Sequence, residues 1–359
     1  MARPRLLDGF PLFSADRITY EAAARAAISL LAPLLVLLAL DRIDLGIYAS
    51  FAAFTALYGR AEPYRHRWLS VLAAAAGMVA AIVGGMLVQA AGAPLPLFLA
   101  GHLAVIAVTT PLSHAMQWIP AGSLFFSFSY LVCAIRPLPD GGSARGLADG
   151  ILVALAVAAF SWAVAMSGWL LRRIPALRGW MRELPRVPVR GWRAGVAPEV
   201  RRTALVAAIG SLAAGWISEV LQIAGHQYWA MVTVVAIFST PAMTVSFERL
   251  IHRVAGTLAG VGMAAAMFGG APPVLYVVLM ITLCSFITEA TVGAHYGFAL
   301  TFITPLAIGA ANLGLTSEWE LLFVDRARET LIGGAIALGL ILAVRWWLSR
   351  GAADPAPRG

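Results

Sequence analysis

Long apolar runs recur along the whole chain, and charge is confined to the short stretches between them. In the first half the runs are Ala22–Leu40, Ile47–Tyr58, Trp68–Ala91, Leu95–Leu112, Ala115–Ile135 and Leu147–Leu171. In the second they are Thr203–Ile223, Tyr228–Thr240, Leu250–Gly269, Val274–Ala290, His295–Ala311 and Leu321–Trp347. A helix needs about 20 mainly apolar residues to cross a bilayer, so the pattern predicts an all-α polytopic membrane protein with about twelve transmembrane helices. Composition agrees: 60% of the 359 residues are hydrophobic and only 12% are charged, about half the charge a soluble domain carries. A soluble globular protein, a disordered tail and a disulfide-rich secreted domain are excluded. The second run of each half spans only about 13 residues and ends near Pro63 or Pro241. Such a segment reads as broken, tilted or re-entrant, which is tolerated where it lines protein or water. The first run is followed by Asp41-Arg42-Ile43-Asp44 rather than a small-residue cleavage site, so it is expected to remain as a span.

The basic residues are all arginines, and the net charge is +8. Because they lie between apolar runs, they indicate basic cytoplasmic loops rather than nucleic-acid binding. With the N-terminus inside, 21 arginines fall in inner segments and five (Arg42, Arg136, Arg145, Arg326 and Arg328) in outer ones, while acidic residues split nine and nine. This asymmetry predicts both termini on the cytoplasmic side of an inner membrane. The expected organisation is a cytoplasmic segment 1–20, six helices over 21–172, a basic linker 173–200, six helices over 201–348 and a tail 349–359. The linker, with four prolines, interleaved arginines, Trp180 and Trp192, reads as a solvated connector hugging the membrane surface; the competing reading is a regulatory anion site. Cys133 and Cys284 both sit in apolar runs, suited to packing rather than to disulfides or metal.

The two halves also resemble each other. Gly77–Gly85 matches Gly262–Gly270 at six of nine positions, an offset of 185. His66-Arg67 matches His252-Arg253, Tyr48 matches Tyr228, His114 matches His295 and Arg145 matches Arg326, at offsets of 180 to 186. Five features in one order predict two six-helix repeats. Six is even, so the repeats run parallel, and a pathway is expected at their interface. The glycines of the third runs permit close helix approach.

His226-Gln227-Tyr228-Trp229-Ala230-Met231-Val232-Thr233, followed by Glu248-Arg249-Leu250-Ile251-His252-Arg253-Val254-Ala255-Gly256-Thr257-Leu258-Ala259-Gly260, resembles the signature of the fusaric acid resistance and aromatic acid exporter family. Asp325-Arg326-Ala327-Arg328-Glu329-Thr330 resembles that family's start of the last span. The resemblance implies an inner-membrane exporter of small aromatic or other organic acids, and the membrane part is similar to plant aluminium-activated malate channels, which imply a dimer. The chain departs from the family in having a short linker where many members carry a large cytoplasmic domain. Its first half has Tyr48-Ala49-Ser50 in place of Tyr-Trp-Ala and lacks the Gly-Thr pair.

Ionisable residues at membrane depth are costly and therefore candidates for function. Glu289, near the inner face, reads as a proton-coupling carboxylate or as a loop acid paired with an arginine. His114 and His295 occupy equivalent turns and titrate near neutrality, so proton relay competes with a satisfied structural role. His102 suits a hydrogen bond across helices. Arg67 and Arg253 each follow a histidine at the start of a third span, where a helix N-terminus and a guanidinium together suit a carboxylate. Arg249 and Glu248 lie alongside, and Arg25 and Arg202 would extend a basic funnel. The competing reading is an ordinary positive loop. Tyr228 and Trp229 suit stacking on an aromatic substrate or an interfacial belt. Arg326, Arg328 and Glu329, at the outer end of the last span, suit an exit gate or a loop ion pair.

No Walker A sequence, His-Glu-x-x-His, Cys-x-x-Cys or Gly-x-Ser-x-Gly occurs, so no enzyme activity, metal or cofactor is expected. The leading expectation is a proton-coupled secondary exporter of small organic anions. A passive anion channel and a non-transporting membrane scaffold are the alternatives.

Overall fold

The computed structural model describes residues 17–175, 184–221, 227–239, 243–315 and 319–353. Among them every regular element is helical. The first half contributes α1 (Arg17–Ala39), α2 (Gly46–Ala53, flanked by 3-10 turns), α3 (Tyr64–Ala90), α4 (Leu95–Ala115), α5 (Leu124–Ile135) and α6 (Ala144–Leu171). After a single turn at Trp192–Gly195 come α7 (Pro198–Val220), α8 (Tyr228–Ile237), α9 (Met243–Phe268), α10 (Val274–Thr291), α11 (Tyr296–Asn312) and α12 (Trp319–Ala353). Proline sets several starts: Pro63, Pro94 and Pro273 precede α3, α4 and α10, and Pro198 opens α7. There a missing N–H costs nothing, because the first helical amides have no intrahelical partner. His226, Pro241 and residues 176–183 of the linker lie outside the described residues.

Each expected apolar run contains a helix, but eight helices are long and apolar enough to cross a membrane: α1, α3, α4, α6, α7, α9, α10 and α12. Four are shorter, and they are the second and fifth of each half: α2 with its turns, α5, α8 and α11. The expected span from Ala115 to Ile135 is interrupted after α4, where Pro120 and Gly122 break the helix and α5 begins only at Leu124. The short helices lie inside the bundle. Every residue of α2 and α8 is buried, as is most of α5 and α11. A short helix is tolerated at membrane depth when protein, not lipid, surrounds its ends. The long helices instead turn Ile28, Leu72, Leu152, Leu205, Leu275 and Leu342 outward. An outward apolar surface of this extent requires contact with lipid.

Packing pairs recur between the halves. Helix α3 packs on α5 and α6, and α9 packs on α11 and α12. The halves are joined by α1 against α10, α4 against α7, α5 against α8 and α2 against α11. His102 of α4 meets Ser211 of α7 across one of these seams, Nε2 to Oγ at 2.9 Å.

The matched glycines do different work in the two halves. A Cβ on Gly85 would lie 2.6 Å from the Tyr130 carbonyl oxygen, so α3 approaches α5 through it. Gly270, which matches it in sequence, has nothing within 4 Å, and neither has Gly262. In α9 the close approach shifts to Gly256, whose Cβ would lie 2.4 Å from the Gly297 carbonyl oxygen of α11, and to Gly260 against Thr304.

Candidate functional site

Buried charge collects in two places. The first is at the linker end of the first half. Arg67, 1% exposed, donates from Nε to the Glu62 carbonyl at 3.1 Å, and from Nη1 to Glu21 Oε1 and the Ala165 carbonyl, each at 3.2 Å. Glu21 also takes Arg172 at 2.8 Å. Arg172 in turn bonds the Tyr64 hydroxyl, and the Arg67 guanidinium stands 4.7 Å from the Tyr64 ring centroid. Arg67 is therefore a brace tying α1, α3 and α6, with Nε and Nη1 both bonded to protein acceptors.

Beside it, Glu62 is fully buried. It accepts from Ser70 Oγ at 2.8 Å and pairs with Arg186 at 3.2 Å and Arg190 at 3.5 Å. Arg190 also donates to the His66 carbonyl at 2.6 Å. The amides of Arg186 and Gly191 bond the carbonyls of Ala61 and Ala115 at 3.1 and 3.0 Å. Residues 186–191 are thus docked on the first half through Arg186 and Arg190, while Val187 and Val189 between them stay exposed. The reason is Glu62: a buried carboxylate demands positive partners, and the linker arginines supply them. Glu289 stands in the last turn of α10 and pairs with Arg60 at 3.5 Å, Arg60 also donating to its carbonyl at 3.3 Å. Arg60 comes from the first half, so this pair spans the two halves.

The second place is the interior of the second half. Arg253 and Arg326 are 3% and 1% exposed and lie within electrostatic range of each other. Neither forms an ion pair among the described residues. Nε of Arg253, and Nε and Nη1 of Arg326, have no hydrogen-bond partner. The Arg326 guanidinium stands 4.0 Å from the Trp229 ring centroid. Trp229 packs on Tyr228 at 4.6 Å and on Phe128 of α5 at 5.2 Å, so the aromatic wall is built by both halves. Trp229 Nε1, Thr233 Oγ1 and Thr257 Oγ1 are buried without partners as well. Glu329 is fully buried and accepts from Ser218 of α7. Arg328, one residue earlier, faces outward.

The sequence-selected residues therefore divide. Arg253, Tyr228, Trp229, Arg326 and Glu329 belong to one region, whereas Arg67 and Glu289 lie in the linker-end charge cluster. Arg326 and Glu329 sit inside α12 rather than at its end. Arg249 is held by Ser239 and by the Ala236 carbonyl at 3.4 Å, with the Tyr296 ring 5.4 Å away. His114 bonds the carbonyl one turn back, Thr110, at 2.9 Å, and His295 occupies the N-cap position of α11 with no side-chain capping bond. Phe128 escaped the sequence reading, and Thr233 and Thr257 stood in it only as members of the quoted signature, since apolar and hydroxyl residues in an apolar run carry no signal of their own.

At the opposite end, Arg136 donates to the Ala311 carbonyl at 2.9 Å and to that of Leu313, satisfying the end of α11 with a cation. Arg42 pairs with Asp149 at 2.8 Å, Asp44 at 3.3 Å and Asp140 at 3.5 Å. The Asp149 hydrogen bond, then that of Asp44, pushes its pKa above the ordinary arginine value. Nearby, a cavity of about 790 Å³ is lined by Ile43, Asn312, Leu313, Gly314, Trp319 and Glu320. Among the described residues no cluster of His, Cys, Asp or Glu is fit to hold a metal, and both cysteines are buried free thiols.

These features define a multi-pass α-helical membrane protein with uncompensated arginines in its core. Residues 212–340 match the family described as fusaric acid resistance protein-like, so the resemblance carried by 226–260 is shown for this part of the chain. The match runs from α7 into α12 and encloses Arg253, Trp229 and Arg326. An uncharacterized protein of Synechocystis sp. is 32% identical over 140 residues, 39% of this chain. The aligned part spans only 18% of that relative's length. No solved structure matches.

Proposed function

We propose that the protein is a secondary transporter that exports small organic anions, aromatic carboxylates among them, across a bacterial inner membrane with both termini cytoplasmic. The observation that carries this reading is the pair Arg253 and Arg326, buried beside Trp229 with guanidinium nitrogens unbonded. A buried charge without a partner costs several kcal/mol, and a carboxylate bound between the two would offset that cost. Trp229, Tyr228 and Phe128 supply an apolar wall for a ring. The recurring packing pairs support two parallel six-helix repeats, with the site on their shared aromatic seam.

Proton coupling is assigned to Glu289, because its pair with Arg60 joins the halves. Protonating Glu289 would release that contact and let one half rock against the other. The second reading is a passive anion channel. It is favoured by the same pair, since a carboxylate already compensated needs no proton.

The test is flux in liposomes carrying the full chain. A panel of aromatic and aliphatic acids is offered with and without a proton gradient. Arg326→Leu and Arg253→Leu are expected to slow uptake of the preferred acid by about thirtyfold or more, the loss of one partner from a desolvated charge pair. Wild-type rates in both variants would overturn the site. Flux that ignores the proton gradient and follows voltage would select the channel.

A further inference from the structure

A third buried arginine lies apart from that site. Arg25 of α1 is 6% exposed, and its Nε and Nη1 have no hydrogen-bond partner. The charges around it are already committed. Within its electrostatic range are Glu21, Glu289, Arg67 and Tyr64. Glu21 is held by Arg67 and Arg172, and Glu289 by Arg60. Two carboxylates thus face four guanidinium groups, and Arg25 is the one with no ion pair among the described residues. One turn along the same helix, Ser29 is fully buried and its hydroxyl also has no partner. Residues four apart share a helix face, so Ser29 and Arg25 stand on the same side of α1. Across the seam on α10, Thr288 adjoins Glu289 and its hydroxyl is likewise buried and unbonded.

We propose that Arg25 and Ser29, with Thr288 alongside, bind a small inorganic anion of the chloride class at the seam between α1 and α10. The unbonded groups are N–H and O–H, which suit an acceptor without protons of its own, while the nearby carboxylates Glu21 and Glu289 are held by other arginines. The enclosure suits a monatomic ion rather than an organic acid, since Arg25 is nearly covered and Ser29 wholly so. Bound there, the anion neutralises the excess charge and strengthens the contact between α1 and α10, which joins the halves. Anything that binds the folded state and not the unfolded one raises the unfolding temperature in a saturable way.

The test is thermal unfolding of the full chain in zwitterionic nanodiscs, titrating chloride against methanesulfonate at fixed ionic strength. Wild type is expected to show a saturable rise in Tm with chloride. Arg25→Gln should lose that rise, and Ser29→Ala should raise the half-saturating concentration roughly fivefold, the loss of one hydrogen bond. Arg253→Gln and Arg326→Gln should keep the wild-type response, which separates this site from the proposed transport site. A flat wild-type titration, a rise retained in Arg25→Gln, or a rise abolished in Arg253→Gln would each overturn the proposal. If Arg25→Gln does not fold, Ser29→Ala decides, and an unchanged half-saturation overturns it.

Discussion

Arg67 and Arg253 hold matching places in the two halves, each directly after a histidine near the start of a third helix, yet their surroundings differ. Every side-chain donor that Arg67 uses meets a protein acceptor: Glu21, the Glu62 carbonyl or the Ala165 carbonyl. Arg253 is buried almost as deeply, has no ion pair among the described residues, and lies within electrostatic range of a second arginine. Two positions alike in sequence thus sit in different surroundings. In the first half the cation holds helices together. In the second its Nε is buried without a hydrogen-bond partner. Burial alone does not distinguish these roles; the identity of the neighbouring acceptors does.

The comparison breaks most readily at Arg67. Arg67→Ala leaves Glu21 to Arg172 alone and the Glu62 and Ala165 carbonyls without their donor, and should cost about 3–5 kcal/mol in equilibrium unfolding, the sum of more than one hydrogen bond to a charged group. A loss under about 1 kcal/mol would mean that the brace is not one. Next comes Glu62→Gln, which leaves the linker arginines facing a neutral amide. It should cost about 1.5–3 kcal/mol, typical of hydrogen bonds to charged groups, and should speed tryptic cleavage at Arg186 and Arg190. Unchanged cleavage rates would show that the docking of 186–191 does not depend on Glu62.

The helix seams give a third contrast. Gly256→Ala drives a methyl into the Gly297 carbonyl oxygen and should cost about 1–3 kcal/mol, while Gly262→Ala enters open space and should stabilise α9 by up to about 1 kcal/mol. Equal effects in thermal unfolding would erase the claimed shift of close approach along α9. The smallest effect is expected at Arg253→Met. Replacing an unpaired buried cation by an apolar side chain of similar length should leave stability within about 1 kcal/mol of wild type or raise it. A loss as large as that at Arg67 would make the two arginines alike.

The apolar runs and their proline boundaries were legible because helix formation in lipid is a local matter. Each backbone group must be satisfied within its own segment, and the run shows where that happens. The arginines to watch were legible too, since charge is rare here. Their roles were not. Arg67 meets acceptors 46 and 98 residues away in the chain, and Glu62 meets Arg186 at a separation of 124. Nothing in local composition ties these positions together. For the same reason the docking of Arg186 and Arg190 on Glu62 was hidden, and Phe128 gave no sign that it would pack on Trp229. The glycine match of 77–85 with 262–270 was real as sequence but misleading as packing, because a shift of one or two turns changes which glycine meets the neighbour.

The sequence by itself determined that this chain is helical, apolar and membrane-bound, with charge confined to few positions, because hydrophobic period and length are properties of contiguous residues. Only the tertiary structure decided which helices are short and enclosed, which arginines are neutralised, and that Trp229, Arg326 and Arg253 share one interior. Those outcomes depend on which distant side chains meet, and a buried charge is either compensated or not only once its neighbours are in place.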